Sequence, residues 1–175
     1  MRRLSSLVLC AALAAVVSCK RQEKFKVDVE DESPQALASV LHVADPRATV
    51  QLLKGFYDVE QNAWRWTMSK FSVTLRPPKG AAEKGATLQV RFSLPDPVIE
   101  KLKSVTLTAN VAGTSLPGET FDKAGEQVYS RPVPAAALKG DAVAVDFALD
   151  KFLPAGAVDQ RELGIVVSTI GFEVK

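Results

Sequence analysis

The segment Gly55–Leu75, GFYDVEQNAWRWTMSKFSVTL, decides the fold; it carries both tryptophans of the chain and one of its two tyrosines, Tyr57. Within it Ala63–Thr67, AWRWT, alternates. In a strand successive side chains point to opposite faces, so Trp64 and Trp66 share one face and Arg65 takes the other. Lys70–Leu75, KFSVTL, alternates again, with Phe71, Val73 and Leu75 together. The run Arg76-Pro77-Pro78-Lys79-Gly80 then stops the strand.

The same period of two continues downstream. Ala86–Leu94, ATLQVRFSL, places Leu88, Val90, Phe92 and Leu94 on one face and Gln89, Arg91 and Ser93 on the other. Pro95-Asp96-Pro97 is a turn, with one helical turn expected over Val98–Leu102. Ser104–Val111 groups Val105, Leu107, Ala109 and Val111, and Ala112-Gly113-Thr114 turns the chain. A short irregular piece anchored by Leu116 and Phe121 is expected next, then a strand at Gln127–Arg131 and a helical turn or loop over Val133–Leu138. Ala142–Leu149, AVAVDFAL, reads as a buried strand with Asp146 as the exception. That carboxylate either faces water at an edge or, if buried, needs a cationic partner. Leu163–Val174 is a long final strand, bent at Gly171. Ala48–Leu53 is expected to be a first strand or a strand-like lead-in.

About seven or eight short strands separated by Gly/Pro turns predict an all-β fold. Two packed antiparallel sheets, a β-sandwich, are the expected solution. A jelly-roll or other Greek-key connection is favoured over an immunoglobulin-like one, because no Cys…Trp…Cys framework exists. The sandwich is placed at residues 47–175, ahead of which the sequence predicts a signal peptide, a linker and one short helix.

Composition bounds the function. Of 175 residues, 47% are apolar and 24% charged, as in ordinary globular chains. Loss of Arg2 and Arg3 with a leader takes the 22 basic residues to 20, equal to the 20 acidic ones. A chain without basic excess is a poor nucleic-acid binder.

Residues 1–18 have the parts of a secretory signal. Arg2 and Arg3 form the positive region, and Leu7–Val17, LVLCAALAAVV, the apolar one. The latter is shorter than the roughly 20 residues a membrane span needs. Val16-Val17-Ser18-Cys19 resembles the bacterial lipobox. The resemblance implies cleavage before Cys19 and acylation of its thiol, with the membrane as a partner through that lipid anchor. Cys10 leaves with the leader, so no disulfide is expected. Lys20 follows the lipidated cysteine, where an Asp tends to retain enterobacterial lipoproteins at the inner membrane. The expected place is therefore the bacterial cell envelope, at the outer membrane.

Residues 19–46 comprise that cysteine, a charged tether and a short helix. Lys20–Glu32, KRQEKFKVDVEDE, is solvated and reaches roughly 20 Å as a flexible coil. Ser33-Pro34 fits an N-cap and first helical position, Leu37, Val40 and Leu41 recur near helical spacing, and Asp45-Pro46 ends the pattern. A helix over Gln35–Val43 is thus expected. His42, the single histidine, has no other His or free Cys to join it in a metal site. The sequence implies no cofactor and no metal.

Gly55-Phe56-Tyr57, Glu60, Trp64-Arg65-Trp66 and, before the last strand, Arg161-Glu162-Leu163-Gly164 together resemble small carbohydrate-binding-like β-sandwich domains of bacterial envelope and polysaccharide-related proteins. The resemblance covers Leu52–Lys175 and implies a glycan as partner, with Tyr57, Trp64, Trp66 and Arg65 as the ligand-binding residues. Sugar rings pack their C–H faces on aromatic rings while polar neighbours exchange hydrogen bonds with hydroxyls. Two tryptophans on one face are more often core than platform, so both fates stay open. Arg161 is expected to bond loop carbonyls or pair with Glu60, in a structural role.

Enzyme signatures are absent, and no catalytic residue is assigned. Ser-His-Asp chemistry would have to use His42, outside the sandwich. Gly113–Gly118 lacks the spacing of a nucleophile elbow, and no phosphate-binding loop is present. Paired carboxylates for glycoside hydrolysis leave a small hydrolase as a minor alternative. The other alternative is a structural or assembly lipoprotein that docks onto another envelope protein through a sheet face or edge.

Overall fold

The computed structural model describes residues 36–174. The signal peptide, Cys19 and the charged tether lie outside the described residues. The elements are β1 (Val40–His42), β2 (Leu52–Glu60), β3 (Trp64–Leu75), α1 (Ala81–Lys84), β4 (Ala86–Leu94), α2 (Asp96–Leu102), β5 (Val105–Val111), β6 (Thr114–Phe121), β7 (Gly125–Val133), β8 (Val143–Leu149) and β9 (Val166–Val174).

The strands form one antiparallel network in the order β6-β5-β8-β3-β9-β4-β7, with β1 added to β9 and β2 to β3. The long strand β3 serves two layers. Its C-terminal half, Lys70–Leu75, pairs with β8, and Arg65 and Trp66 in its N-terminal half pair with β9. The network therefore folds over at β3 into β6-β5-β8-β3 and β3-β9-β4-β7. The free edges come back together. The Tyr129 hydroxyl on β7 donates to the Pro117 carbonyl on β6 at 3.0 Å. Phe92 on β4 meets Phe121 on β6 edge to face at 5.0 Å. The result is an antiparallel, jelly-roll-like β-sandwich.

The core follows the alternation in the sequence. Leu88, Val90, Phe92 and Leu94 of β4 are buried, as are Val105, Leu107, Ala109 and Val111 of β5 and Val143, Val145, Phe147 and Leu149 of β8. Phe71 and Phe147 are cross-strand partners and stack at 4.8 Å. Burying such a side chain contributes about 1.5–3 kcal/mol. Asp146 stands on the outer face of β8 with its side chain 58% exposed, 3.7 Å from the Lys54 ammonium, so it faces water.

The helix expected over Gln35–Val43 is not formed within its described part; Val40–His42 is β1, paired with Thr169–Gly171 of β9. Leu41 and Val43 point into the core while Val40 and His42 face out, a period of two that the helical spacing of Leu37, Val40 and Leu41 had masked. An available edge on β9 outweighs weak local helix preference. The sheet thus begins at Val40, not at 47.

The first strand expected over Ala48–Leu53 is also corrected. Pro46–Gln51 is a 3₁₀ turn, capped by the Asp45 carboxylate, which accepts from the Arg47 backbone N–H at 2.9 Å. Gln51 is buried, and its amide bonds the Ala38 N–H and the Ala38 and Thr74 carbonyls. The piece anchored by Leu116 and Phe121 is a strand, β6, whose register against β5 shifts between Glu119 and Leu116, and the last strand begins at Val166 instead of Leu163.

Candidate functional site

The β2–β3 turn aims the tryptophans. Gln61 and Asn62 take positive φ, 50° and 55°, and the Ala63 N–H donates to the Glu60 carbonyl at 3.1 Å. Two left-handed residues in a tight turn match the twist of a hairpin. Trp64 and Trp66 then leave β3 on the outer face of the β3-β9-β4-β7 layer. Both are half-buried, an outcome between the core and open platform that the sequence left open.

The register gives the site its frame. Trp66 pairs with Val166 of β9, Val166 with Ser93 of β4, and Ser93 with Glu126 of β7. Directly paired residues share a face, so these four side chains form one row across four strands. They line a groove of about 360 Å³ together with Trp64, Pro95 and Ser168. Indole surfaces stand at one side, an apolar valine and a serine hydroxyl form the floor, and an exposed carboxylate stands at the other side. Such a groove can stack a flat C–H face and accept hydrogen bonds from hydroxyls. Glycoside hydrolysis uses two facing carboxyl groups; Glu126 is the single carboxylate among the residues lining this groove.

Arg65 is held on the opposite side of β3. Its Nε donates to the Val43 carbonyl at 2.7 Å and its Nη1 to the Tyr57 carbonyl at 2.9 Å. Tyr57 is half-buried and packs against the core, and neither residue lines the tryptophan groove. The structure therefore brings Trp64 and Trp66 together and sets Tyr57 and Arg65 behind them as support.

Arg161 completes that support. Its guanidinium stands 5.1 Å from the centre of the Tyr57 ring. It pairs with Glu60 and Asp159 at 2.8 Å each. The hydrogen bonds from Arg161 hold the Asp159 carboxyl well below its ordinary value of 3.8, at about 2. The same bonds from Asp159 and then Glu60 raise the Arg161 guanidinium. Next to it the Glu162 carboxylate accepts the Ser69 N–H at 2.6 Å, fastening the loop before β9 to β3.

The described residues also form two further grooves. One, of about 350 Å³, lies on the opposite layer between Lys54, Lys70, Asn110, Ser115 and Asp146. It has no accessible aromatic, since Phe147 is buried. The other, of about 250 Å³, lies on the tryptophan-bearing layer and includes His42, Gln89, Arg91, Thr169 and Glu173. His42 is exposed there, its Nδ1 3.4 Å from the Thr169 hydroxyl. Among the described residues no three His, Cys, Asp or Glu side chains converge as a metal site would require.

Glu126, Val166 and Ser168 enter the site only through register. Ser93 had a signal, its place on the polar face of β4. Nothing in the sequence tells that β7 pairs with β4 so as to set Glu126 opposite Ser93.

No protein-family model matches the chain, and no curated protein matches it. Solved structures give matches of low similarity. A family 35 carbohydrate-binding module from an environmental isolate is 17% identical, covering 81% of this chain and 88% of the module, at a TM-score of 0.39. A carbohydrate-binding module, CBM36, in complex with calcium and xylotriose is 12% identical over 59% of this chain and 72% of the module, at a TM-score of 0.37. An exo-beta-1,3-galactanase from Phanerochaete chrysosporium is 10% identical, covers 78% of this chain but 29% of the galactanase, and has a TM-score of 0.42.

Proposed function

We propose that this chain is a lipid-anchored, non-catalytic protein of the bacterial cell envelope whose sandwich binds a glycan in the Trp64–Trp66 groove. The carrying observation is the row Trp66–Val166–Ser93–Glu126, which sets two half-buried indoles on an outer sheet face opposite a carboxylate. Ring stacking on Trp64 and Trp66 supplies binding energy, and Glu126 and the Ser93 hydroxyl orient the sugar. Arg65 and Tyr57 act from behind, holding the hairpin that carries the tryptophans. Docking of another envelope protein is the rival reading; fully buried tryptophans would have favoured it.

The lipobox supports the anchoring half of the reading. Acylation of Cys19 gives each buried methylene about 0.8 kcal/mol, and two or three chains hold firmly where one is marginal. Lys20 stands after the cysteine where an inner-membrane-retained lipoprotein tends to carry Asp, which supports the outer membrane as the site of anchoring.

Tryptophan fluorescence of the full-length chain, solubilised in a sugar-free amine-oxide detergent, tests the groove. Acrylamide quenching that envelope glycans relieve is the expected result. Weak quenching with no response to glycan would overturn it. For the anchor, Cys19→Ala is expected to abolish incorporation of labelled palmitate and to block processing; unchanged acyl labelling and processing would remove that half of the proposal.

A further inference from the structure

The tryptophan groove does not end at Ser93. On β4 the residues Ser93, Arg91 and Gln89 all point outward, between the buried Leu94, Phe92, Val90 and Leu88. Each sits in its own cross-strand row. Beyond the tryptophan row, His42, Thr169, Arg91 and Val128 are successive partners across β1, β9, β4 and β7. The next row runs Val40, Gly171, Gln89 and Ser130. The groove of about 250 Å³ lies over these two rows.

A β-bulge joins the two grooves. The register shifts between Arg91 and Phe92, which leaves Ser168 of β9 without a partner on β4. Ser168 lines the tryptophan groove, its neighbour Thr169 lines the second one, and the Ser168 hydroxyl donates to the Arg91 carbonyl at 3.2 Å. The outward path from Ser93 to Gln89 is about 13 Å long at about 3.3 Å per residue.

The second groove is polar and already ordered. Arg91 Nε donates to Gln89 Oε1 at 3.2 Å, and Gln89 Nε2 donates to Glu173 Oε2 at 3.3 Å. Planar amide, guanidinium and carboxylate groups held in line offer donors and acceptors at fixed spacing. Their charges cancel, Arg91 against Glu173, which suits hydroxyls better than an anion. Val128, 44% exposed, adds an apolar spot beside Arg91.

We propose that the two grooves are one elongated site for a chain of neutral sugar units. The indoles stack one ring, and the Arg91–Gln89–Glu173 series reads the hydroxyls of the units that follow along β4. This rests on the reading of the tryptophan groove as a glycan site, and deepens it by making the ligand a neutral polysaccharide segment longer than a single ring.

The test is calorimetry on the full-length chain in amine-oxide detergent with neutral xylo-, cello- and β-1,3-gluco-oligosaccharides, each from two to six units. The expected result is a series whose affinity rises at least tenfold from disaccharide to hexasaccharide, with Gln89→Ala, Arg91→Ala and Glu173→Gln each bringing the hexasaccharide down toward the disaccharide. Circular dichroism checks that the variants keep their strand signal. Should disaccharides bind in a Trp64-dependent way with no rise along the series, or with a rise that ignores all three variants, the elongated site is wrong and the tryptophan groove stands. Should no series bind, both readings fall.

Discussion

Arg161 lies over the ring of Tyr57 with its guanidinium carbon 5.1 Å from the ring centre, while its nitrogens hold Glu60 and Asp159 at 2.8 Å. The loop before β9 is thereby tied to the β2 side of the hairpin that carries the tryptophans. Tyr57 serves as the bed of this clamp. Replacing Arg161 with Gln removes two ion pairs that are a third exposed, so solvent screens them and the loss is modest. Thermal denaturation should show it as a small fall in melting temperature.

Acid should release the clamp. The Arg161 hydrogen bonds depress the folded Asp159 pKa to about 2 from an ordinary 3.8. The stabilisation is present above the ordinary value and is lost as pH falls through the folded one, so its window is pH 4 down to 2. Asp45, held down to about 2 by the Arg47 side chain, loses its cap in the same window. Carboxyl-carbon NMR should place the Asp159 midpoint near 2, and higher in Arg161→Gln, which loses the guanidinium but keeps the backbone N–H of residue 161 on the carboxylate.

Trp64→Ala is the cleaner probe of the groove. Trp66 packs against the core as well as lining the groove, whereas Trp64 is not part of that cluster. The expected outcome is at least a tenfold weaker glycan affinity, about 1.4 kcal/mol, with an unchanged melting temperature. Trp66→Ala should weaken binding similarly and lower the melting temperature too. Calorimetric titration and thermal scans separate the two effects.

Gly171→Ala should loosen β1. A Cβ at 171 would stand 2.7 Å from the Val40 Cα and 2.9 Å from the Ser39 carbonyl oxygen. That carbonyl accepts the Phe172 N–H at 2.8 Å, so it cannot yield freely. Overpacking of this kind costs about 1–3 kcal/mol. Hydrogen exchange should speed up at Val43 and Phe172 before it does at β4.

Thr67→Val should destabilise although it conserves shape. Thr67 is buried, and its hydroxyl accepts the Ile165 N–H at 3.2 Å. Valine leaves that N–H without a partner in the core, at about 1–3 kcal/mol. Denaturant unfolding should show the loss, and Thr67→Ser, which keeps the hydroxyl, should recover most of it.

Much of this fold was legible in β4, β5 and β8, where strict alternation of apolar and polar residues maps directly onto buried and outward positions. The pairing of Arg161 with Glu60 was legible as chemistry, because a charged run before the last strand sits near a carboxylate in the hairpin. β1 was not legible, since Leu37, Val40 and Leu41 fit a helical face while the strand alternation, with Leu41 and Val43 inward and Val40 and His42 outward, spans only four residues, and only the edge of β9 decides between them. Nor was Glu126. Its place opposite Ser93 depends on a register between strands far apart in sequence, which no local pattern encodes. Tyr57 and Arg65 drew attention through the company of tryptophans, yet the pleat sends Arg65 to the other side of β3.

The direction of β1 has a mechanical consequence. The strand runs from Val40, opposite Gly171, to His42, opposite Thr169, and so towards Val166, where the tryptophan row crosses β9. The chain enters the sheet at the end farther from the indoles. Tension between a ligand gripped at Trp64 and Trp66 and a restraint on the chain ahead of Ala36 acts lengthwise along this strand. Its bonds to β9 lie across the pull, and they are bracketed by Phe172 N–H to Ser39 O and Val43 N–H to Ser168 O. They are loaded together in shear, not peeled one after another, so a strand of three residues resists force beyond what its length implies.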